Sequence, residues 1–149
     1  MSSSLIRFYI NPSINSYSIM EDNKLILTPP TAAELEILQV LWQNGPQTVR
    51  FVNDELNKQR EIGYTTTLKF MQIMLDKGTL TREIVERSHI YRPSVSEETT
   101  QTQLLRGFVD TTFRGSSASL VMRALGNGSA TPEDLAKIKA MIADMENNG

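Results

Sequence analysis

Residues 65–78 have the sequence TTTLKFMQIMLDKG, which is the clearest helical pattern in this 149-residue chain. At 100° per residue, one side of the helix collects apolar and compact side chains: Thr67, Met71 and Met74. The other side collects Thr65, Thr66, Lys69, Gln72 and Ile73. Gly78 follows the run, as glycine commonly does where a helix ends. The pattern predicts a helix with a buried stripe and a short, largely polar outward face.

Two further helices are predicted upstream. Thr31 and Glu34 have the spacing of a capping box, and Leu35, Leu38, Leu41 and Trp42 then recur at helical spacing. Asn44–Gly45–Pro46 ends this first helix. Thr48 is the predicted N-cap of the second, and its apolar stripe is Val49, Val52 and Leu56.

A β-hairpin is predicted after the third helix. Thr79–Val85 and His89–Arg92 favour strands, joined by a turn around Glu86–Arg87–Ser88. Three helices followed by a hairpin are the outline of a winged helix. We therefore predict a mainly α fold with a small β-hairpin wing, and a winged-helix domain at residues 27–94.

Residues 95–149 are predicted to form a helical dimerisation module. Ser96–Glu97–Glu98 opens one helix, Gly115–Ser116–Ser117 interrupts it, and Thr131–Pro132 starts the last helix. The apolar positions expected at the dimer interface are Leu104, Leu105, Phe108, Val109, Phe113, Leu120, Val121, Leu135, Ile138 and Ile142. A module of under ~55 residues buries only a marginal core alone, so its stripes favour a homodimer. The alternative is that these helices fold back onto the first domain.

Residues 1–26 differ from the rest in being rich in serine and asparagine, and they contain no signal-peptide core. We interpret them as a flexible or edge-pairing extension, with Met20 as an alternative start. No apolar run approaches the ~18 residues of a membrane helix, so membrane insertion is not expected. A cytoplasmic protein is favoured.

Composition argues against several kinds of site. The chain has no cysteine and one histidine, His89, which leaves no thiolate site and no histidine cluster. We expect no cofactor, no metal and no enzymatic activity, with His89 a hydrogen-bonded residue of the wing. The methionines, Met71, Met74, Met141 and Met145, are interpreted as core residues.

The net charge of −2 conceals a gradient along the chain. Residues 49–93 carry 8 basic and 6 acidic side chains, whereas the flanking segments are both acidic. The predicted winged helix is therefore the segment with a positive balance. This positive balance matters for binding only if the basic residues share one face of the fold.

Several short motifs, in this order and spacing, resemble the penicillinase-repressor family (BlaI/MecI/CopY type) over roughly residues 27–146. They are AELEILQVLW at 33–42, Gly45–Pro46, Thr48–Val49–Arg50, Tyr64–Thr65–Thr66–Thr67, Lys77–Gly78, Tyr91, Ser96–Glu97–Glu98 and Phe113–Arg114–Gly115–Ser116. The resemblance implies a bacterial, dimeric winged-helix repressor that binds a palindromic operator. Some members are removed by a membrane sensor protease and others respond to copper.

This chain departs from the family pattern in three respects. It lacks the cysteine cluster that a copper response needs. Ile73 stands where many members have an arginine, and the N-terminal extension is additional. No convincing protease cleavage site is present, so a sensor protease enters only as a partner that the resemblance suggests.

The outward face of the third helix has the chemistry expected of a DNA-recognition helix. Glutamine pairs with adenine, lysine with guanine, and threonine or isoleucine methyls with thymine. The predicted DNA-binding residues are Arg50, Tyr64, Thr65, Thr66, Lys69, Gln72, Ile73 and Arg87, with Arg50 and Arg87 assigned to phosphate or minor-groove contacts. The alternative function is a winged-helix protein–protein interaction module that does not read DNA sequence.

Overall fold

The computed structural model describes residues 28–149 in full and the backbone of three strands before them. These strands are β1 (Ile6–Asn11), β2 (Ser16–Glu21) and β3 (Lys24–Ile26), in an antiparallel sheet of order β1-β2-β3. The predicted flexible extension falls partly on residues 1–5, 12–15 and 22–23, outside the described part, and it stays a prediction. The chain divides into two compact units, Met1–Gln103 and Leu104–Gly149.

Three helices follow, close to the positions that the sequence predicts: α1 (Ala32–Asn44), α2 (Val49–Asn57) and α3 (Tyr64–Lys77). The Thr31 hydroxyl accepts a hydrogen bond from Glu34 N–H, and the Glu34 carboxylate accepts one from Thr31 N–H, which confirms the capping box. Thr48 caps α2 by accepting from Phe51 N–H. Gly78 ends α3 in the left-handed conformation, at φ 85°.

The wing is a two-stranded hairpin, β4 (Leu80–Val85) and β5 (Ser88–Pro93). A third segment joins it, because Gln47, in the link between α1 and α2, exchanges two backbone hydrogen bonds with Tyr91 at 3.0 and 2.9 Å. Tyr91 is almost fully buried, so it fixes the base of the wing to the helical core. The predicted mainly α fold with a small β wing is confirmed.

The core of the first unit lies between α1, α2, α3 and the base of the wing. Its members are Ile37, Leu38, Leu41, Val49, Val52, Leu56, Met71, Met74, Leu80 and Tyr91. The stripes predicted for α2 and α3 are therefore buried as expected. Trp42 packs against this cluster and donates its indole N–H to the Val95 carbonyl at 3.1 Å.

A buried ion pair connects the end of α3 to the start of α1. The Lys77 ammonium, at the end of α3, lies 3.1 and 2.9 Å from the two oxygens of Glu34, in the first turn of α1. Their side chains are only 10% and 5% exposed. Since Glu34 also completes the α1 cap, one carboxylate serves both the cap and the α1–α3 contact.

The second unit is helical and includes most of α4 (Glu97–Thr112), α5 (Ser117–Gly126) and α6 (Pro132–Asn148). Thr131 and Asp134 form a reciprocal cap at the start of α6. The Thr131 hydroxyl and backbone N–H both donate to the Asp134 carboxylate, and these hydrogen bonds hold the pKa of Asp134 below its ordinary value. Met141 and Met145 are each 65% exposed, so their assignment to the core is wrong for a single chain.

Candidate nucleic-acid interface

The position of α3 is set by a buried asparagine on α2. Asn53 donates its amide hydrogens to the Ile62 carbonyl at 3.1 Å and to the Thr67 hydroxyl at 2.9 Å. Asn57 adds a second bond to the same carbonyl, at 2.9 Å, and accepts from Ile62 N–H. Because Ile62 lies just before α3 and Thr67 within it, these bonds fix where α3 begins and how it crosses α2.

With α3 fixed in this way, the predicted recognition face points outward. Thr67, Met71 and Met74 are buried beneath it. Ile73 is half-buried. The exposed members form the polar ridge of α3, defined as Thr65, Thr66, Lys69 and Gln72. The geometry thus leaves three hydrogen-bonding side chains and one cation free to meet a partner.

Ion pairing divides the eight basic residues of segment 49–93 into two groups. Four are held by carboxylates at 2.6–2.9 Å: Lys58 by Glu55, Arg60 by Glu36, Lys77 by Glu34, and Arg92 by Glu83. Within residues 28–149, the other four have no carboxylate within 4 Å: Arg50, Lys69, Arg82 and Arg87. These unpaired cations lie at the start of α2, on the α3 ridge and on the wing.

Arg50 and Tyr64 come together where α2 and α3 begin. The Arg50 guanidinium carbon lies 5.3 Å from the centroid of the Tyr64 ring, a cation–π contact. Arg50 is itself exposed, so the ring contact leaves part of the guanidinium accessible. A guanidinium oriented in this way is suited to a phosphate group.

Arg87 stands at the tip of the wing in a two-residue turn. Glu86 and Arg87 have φ of 49° and 70°, while Val85 and Ser88 pair across the turn. Positive φ at both positions is the geometry of a type I′ hairpin, which normally takes asparagine and glycine. The turn is therefore strained, and its geometry places Arg87 at the tip of the wing.

An open groove of about 480 Å³ lies between these helix starts and the wing. Arg50 and Tyr64 line one side, and Arg87, His89 and Tyr91 line the other. Three predicted DNA-binding residues are thereby brought together, whereas Thr65, Thr66, Lys69, Gln72 and Ile73 lie along α3 outside it. His89 was interpreted only as a wing residue, and its place beside two arginines follows from the folding of the hairpin.

The residues predicted for dimerisation differ in how far the single chain already covers them. Val109 is 6% exposed, so a partner has little left to bury there. Leu105, Phe108, Val121, Leu135 and Ile142 are 40–52% exposed. The remaining members are partly covered: Leu104, Phe113, Leu120 and Ile138. Of the eleven large apolar residues exposed in the part of the chain described, eight belong to residues 104–149.

No group of three or more His, Asp or Glu side chains in residues 28–149 is placed to hold a metal ion. No helix in this region is long and apolar enough to cross a membrane.

Comparisons with known proteins agree on one family. The family model described as penicillinase repressor matches residues 30–144. The penicillinase repressor of Bacillus licheniformis is 23% identical over 115 residues, which are 77% of this chain and 90% of that protein. The transcriptional regulator BlaI of Mycobacterium tuberculosis is 33% identical over 61 residues, covering 40% of this chain and 44% of the regulator.

A solved structure also matches part of the chain. It is the solution structure of Bacillus licheniformis BlaI in monomeric form in complex with the blaP half-operator. The TM-score is 0.44 and the identity 25%, over 49% of this chain and 89% of that one.

Proposed function

Since this chain belongs to the penicillinase repressor family, whose model matches residues 30–144, we propose that it is a transcriptional repressor that binds a DNA operator. The observation that carries the proposal is the exposed polar ridge of α3, together with the four cations that have no carboxylate within 4 Å in residues 28–149. Threonine, lysine and glutamine at the start of an exposed helix supply the donors and acceptors that read base edges in the major groove.

In this proposal the unpaired cations contact the DNA backbone. Arg50 binds phosphate at the start of α2, and Arg87 contacts phosphate or the minor groove from the wing tip. Tyr64 supports Arg50 through the ring contact at 5.3 Å. Ile73 packs at the edge of the ridge, where its exposed part meets a thymine methyl group.

We further propose that the operator is palindromic and is bound by a homodimer formed through residues 104–149. The exposed side chains of Leu105, Phe108, Val121, Leu135 and Ile142 support it, because a lone unit of this size leaves them in water. Twofold pairing sets two recognition helices about one helical turn, ~34 Å, apart on the DNA. A protein of this function acts in the cytoplasm.

A mobility-shift experiment tests DNA reading against the alternative of a protein–protein interaction module. The probe is duplex DNA from upstream of the protein's own gene, with a scrambled duplex of equal composition as competitor. We expect selective retardation, and a log–log salt slope near −7 for about 8 phosphate contacts per dimer. Equal retardation of both duplexes would favour the interaction module.

Two arginine variants add a matched control to this experiment. Arg50→Ala removes one proposed phosphate contact per protomer and should make the salt slope shallower by about 1.8 per dimer. Arg106→Ala removes an exposed arginine from α4 and should leave the slope unchanged.

Sedimentation velocity tests the dimer separately. We expect wild type to sediment as a dimer at micromolar concentration. Val121→Glu with Ile142→Glu should give folded monomers, since both residues are about half exposed in the single chain. A wild-type monomer both alone and on operator DNA would exclude this assembly.

A further inference from the structure

The groove between the helix starts and the wing contains a third group that can carry a positive charge, besides the two predicted arginines. His89 lines it together with Arg50, Arg87 and Tyr64. It pairs with Ile84 across the hairpin, on the same face as Arg82 and Tyr91. His89 is exposed, and within residues 28–149 its side chain has no acidic partner.

The charged and titratable groups near His89 come from every element that bounds the groove. Arg50 is contributed by α2, Tyr64 by α3 and Arg87 by the turn. On β4, Arg82 lies over the Tyr91 ring at 6.0 Å, while Glu83 is bound to Arg92 at 2.9 Å. The nearby acids in sequence, Asp54 and Glu86, do not line the groove. The residues that line the groove with His89 therefore include two arginines and no carboxylate.

We propose that this groove is a subsite for one backbone phosphate of DNA, and that the His89 imidazole takes up a proton when the phosphate binds. The proposal rests on the function proposed above. The occupant is a single phosphodiester, since α2 begins at the groove and arginines flank it from both sides. His89 supplies the third donor and completes a clamp from the wing.

The direction of the pH effect follows from the two states of the imidazole. A bound phosphate favours the protonated imidazole, because imidazolium then gains an ion pair and a charge-assisted hydrogen bond. Binding is therefore coupled to proton uptake, and operator affinity increases as the pH falls through the range in which imidazoles ordinarily titrate, near ~6.5.

Other groups in the groove do not produce the same effect. Arginine stays protonated at all relevant pH values, and a phenol ordinarily titrates near ~10. The chain has a single histidine, so a histidine-dependent slope between about pH 6 and pH 8 reports on this position alone.

The test measures dissociation constants of the full chain for its operator at about pH 6 and about pH 8, at constant ionic strength, with wild type, His89→Gln and His89→Lys. For wild type we expect binding about tenfold tighter per protomer at the lower pH, the effect of one charge-assisted hydrogen bond. His89→Gln should bind the operator weakly, with a dissociation constant that does not change with pH. His89→Lys keeps the cation and should bind tightly with a flat profile.

Salt titrations at both pH values give a second readout. The wild-type slope should be steeper at the lower pH by about 0.9 per protomer, because one more cation meets phosphate. His89→Gln should show the same slope at both. A wild-type pH profile that His89→Gln reproduces would overturn the subsite and leave the repressor proposal standing, whereas absence of operator binding at every pH would overturn both.

Discussion

The Arg50 guanidinium carbon lies 5.3 Å from the centroid of the Tyr64 ring, which connects the first turn of α2 to the first turn of α3. The two residues are 14 positions apart in the sequence. Their contact orients a cation at the mouth of the groove, on the side opposite Arg87. This pair forms the helical side of the groove that the wing residues also line.

Removing the Tyr64 ring should weaken DNA binding modestly. An exposed cation–π contact is worth about 0.5–1 kcal/mol, so Tyr64→Ala should raise the dissociation constant about two- to fivefold. Tyr64→Phe retains the ring and serves as the control, with affinity expected within about twofold of wild type. Fluorescence anisotropy with labelled operator measures both. Equal losses in the two variants would assign the effect to the hydroxyl group instead of the ring.

Asn53 should matter for both stability and recognition. Asn53→Ala removes the donors to the Ile62 carbonyl and the Thr67 hydroxyl and leaves a buried carbonyl with fewer partners. We expect a loss of about 2 kcal/mol in the free energy of unfolding, measured by urea denaturation.

The control for Asn53→Ala is Asn57→Ala, which removes exposed hydrogen bonds to the same segment. It should lower the free energy of unfolding by less than about 1 kcal/mol, the net contribution of one solvent-accessible hydrogen bond. Operator affinity should fall more in Asn53→Ala than in Asn57→Ala, because the α3 orientation depends on the buried contact. The reverse order would contradict this account of how α3 is held.

The Lys77–Glu34 pair should show the asymmetry typical of buried ion pairs. Lys77→Met leaves the Glu34 carboxylate buried beside the α1 cap with no counterion, which should destabilise the protein by about 3 kcal/mol. Adding Glu34→Gln to Lys77→Met removes the unpaired charge while keeping a cap acceptor, so the double variant should recover part of the lost stability. Glu34→Gln alone is the third variant. Urea denaturation of wild type and the three variants gives the coupling free energy; additive losses would contradict a direct pair.

The wing turn offers a substitution that should stabilise the protein. Glu86 has φ 49°, a left-handed conformation that asparagine tolerates better than glutamate. Glu86→Asn should raise the free energy of unfolding by about 0.5–1 kcal/mol, a part of the usual strain at such a position. Glu86→Gln removes the charge without relieving the strain, and its stability should stay near wild type. An equal gain in both variants would assign the effect to the lost charge, and no gain in Glu86→Asn would contradict the strain.

Local signals explain how much of the fold was predictable. The helix starts at Thr31, Thr48 and Thr131 are marked by side chains that accept a hydrogen bond from a backbone N–H three residues later. The stop at Gly78 is equally local. Because each signal involves neighbours in sequence, the order of helices and wing followed without any knowledge of tertiary contacts.

Features that depend on distant partners were not predicted. Asn53 continues the buried stripe of α2 at positions 49, 52 and 56, so its burial was visible in the pattern, but its partner Thr67 on α3 was not. His89 reaches the groove only because the hairpin folds beside α2. Met141 and Met145 have core-like spacing yet remain exposed, because helical periodicity does not distinguish a face covered by the same chain from one available to a partner.

The most direct test of the central claim is selection of bound duplexes from a random DNA pool, carried out with wild type, the Lys69→Ala/Gln72→Ala variant and a Gln39→Ala control. Gln39 is exposed on α1, away from the α3 ridge in the sequence. We expect wild type and the control to enrich one inverted repeat with half-sites about 10 base pairs apart, and the double variant to lose that enrichment while retaining salt-dependent binding to any duplex. Enrichment of the same repeat by the double variant, or of no sequence by wild type, would contradict the claim that this ridge reads DNA.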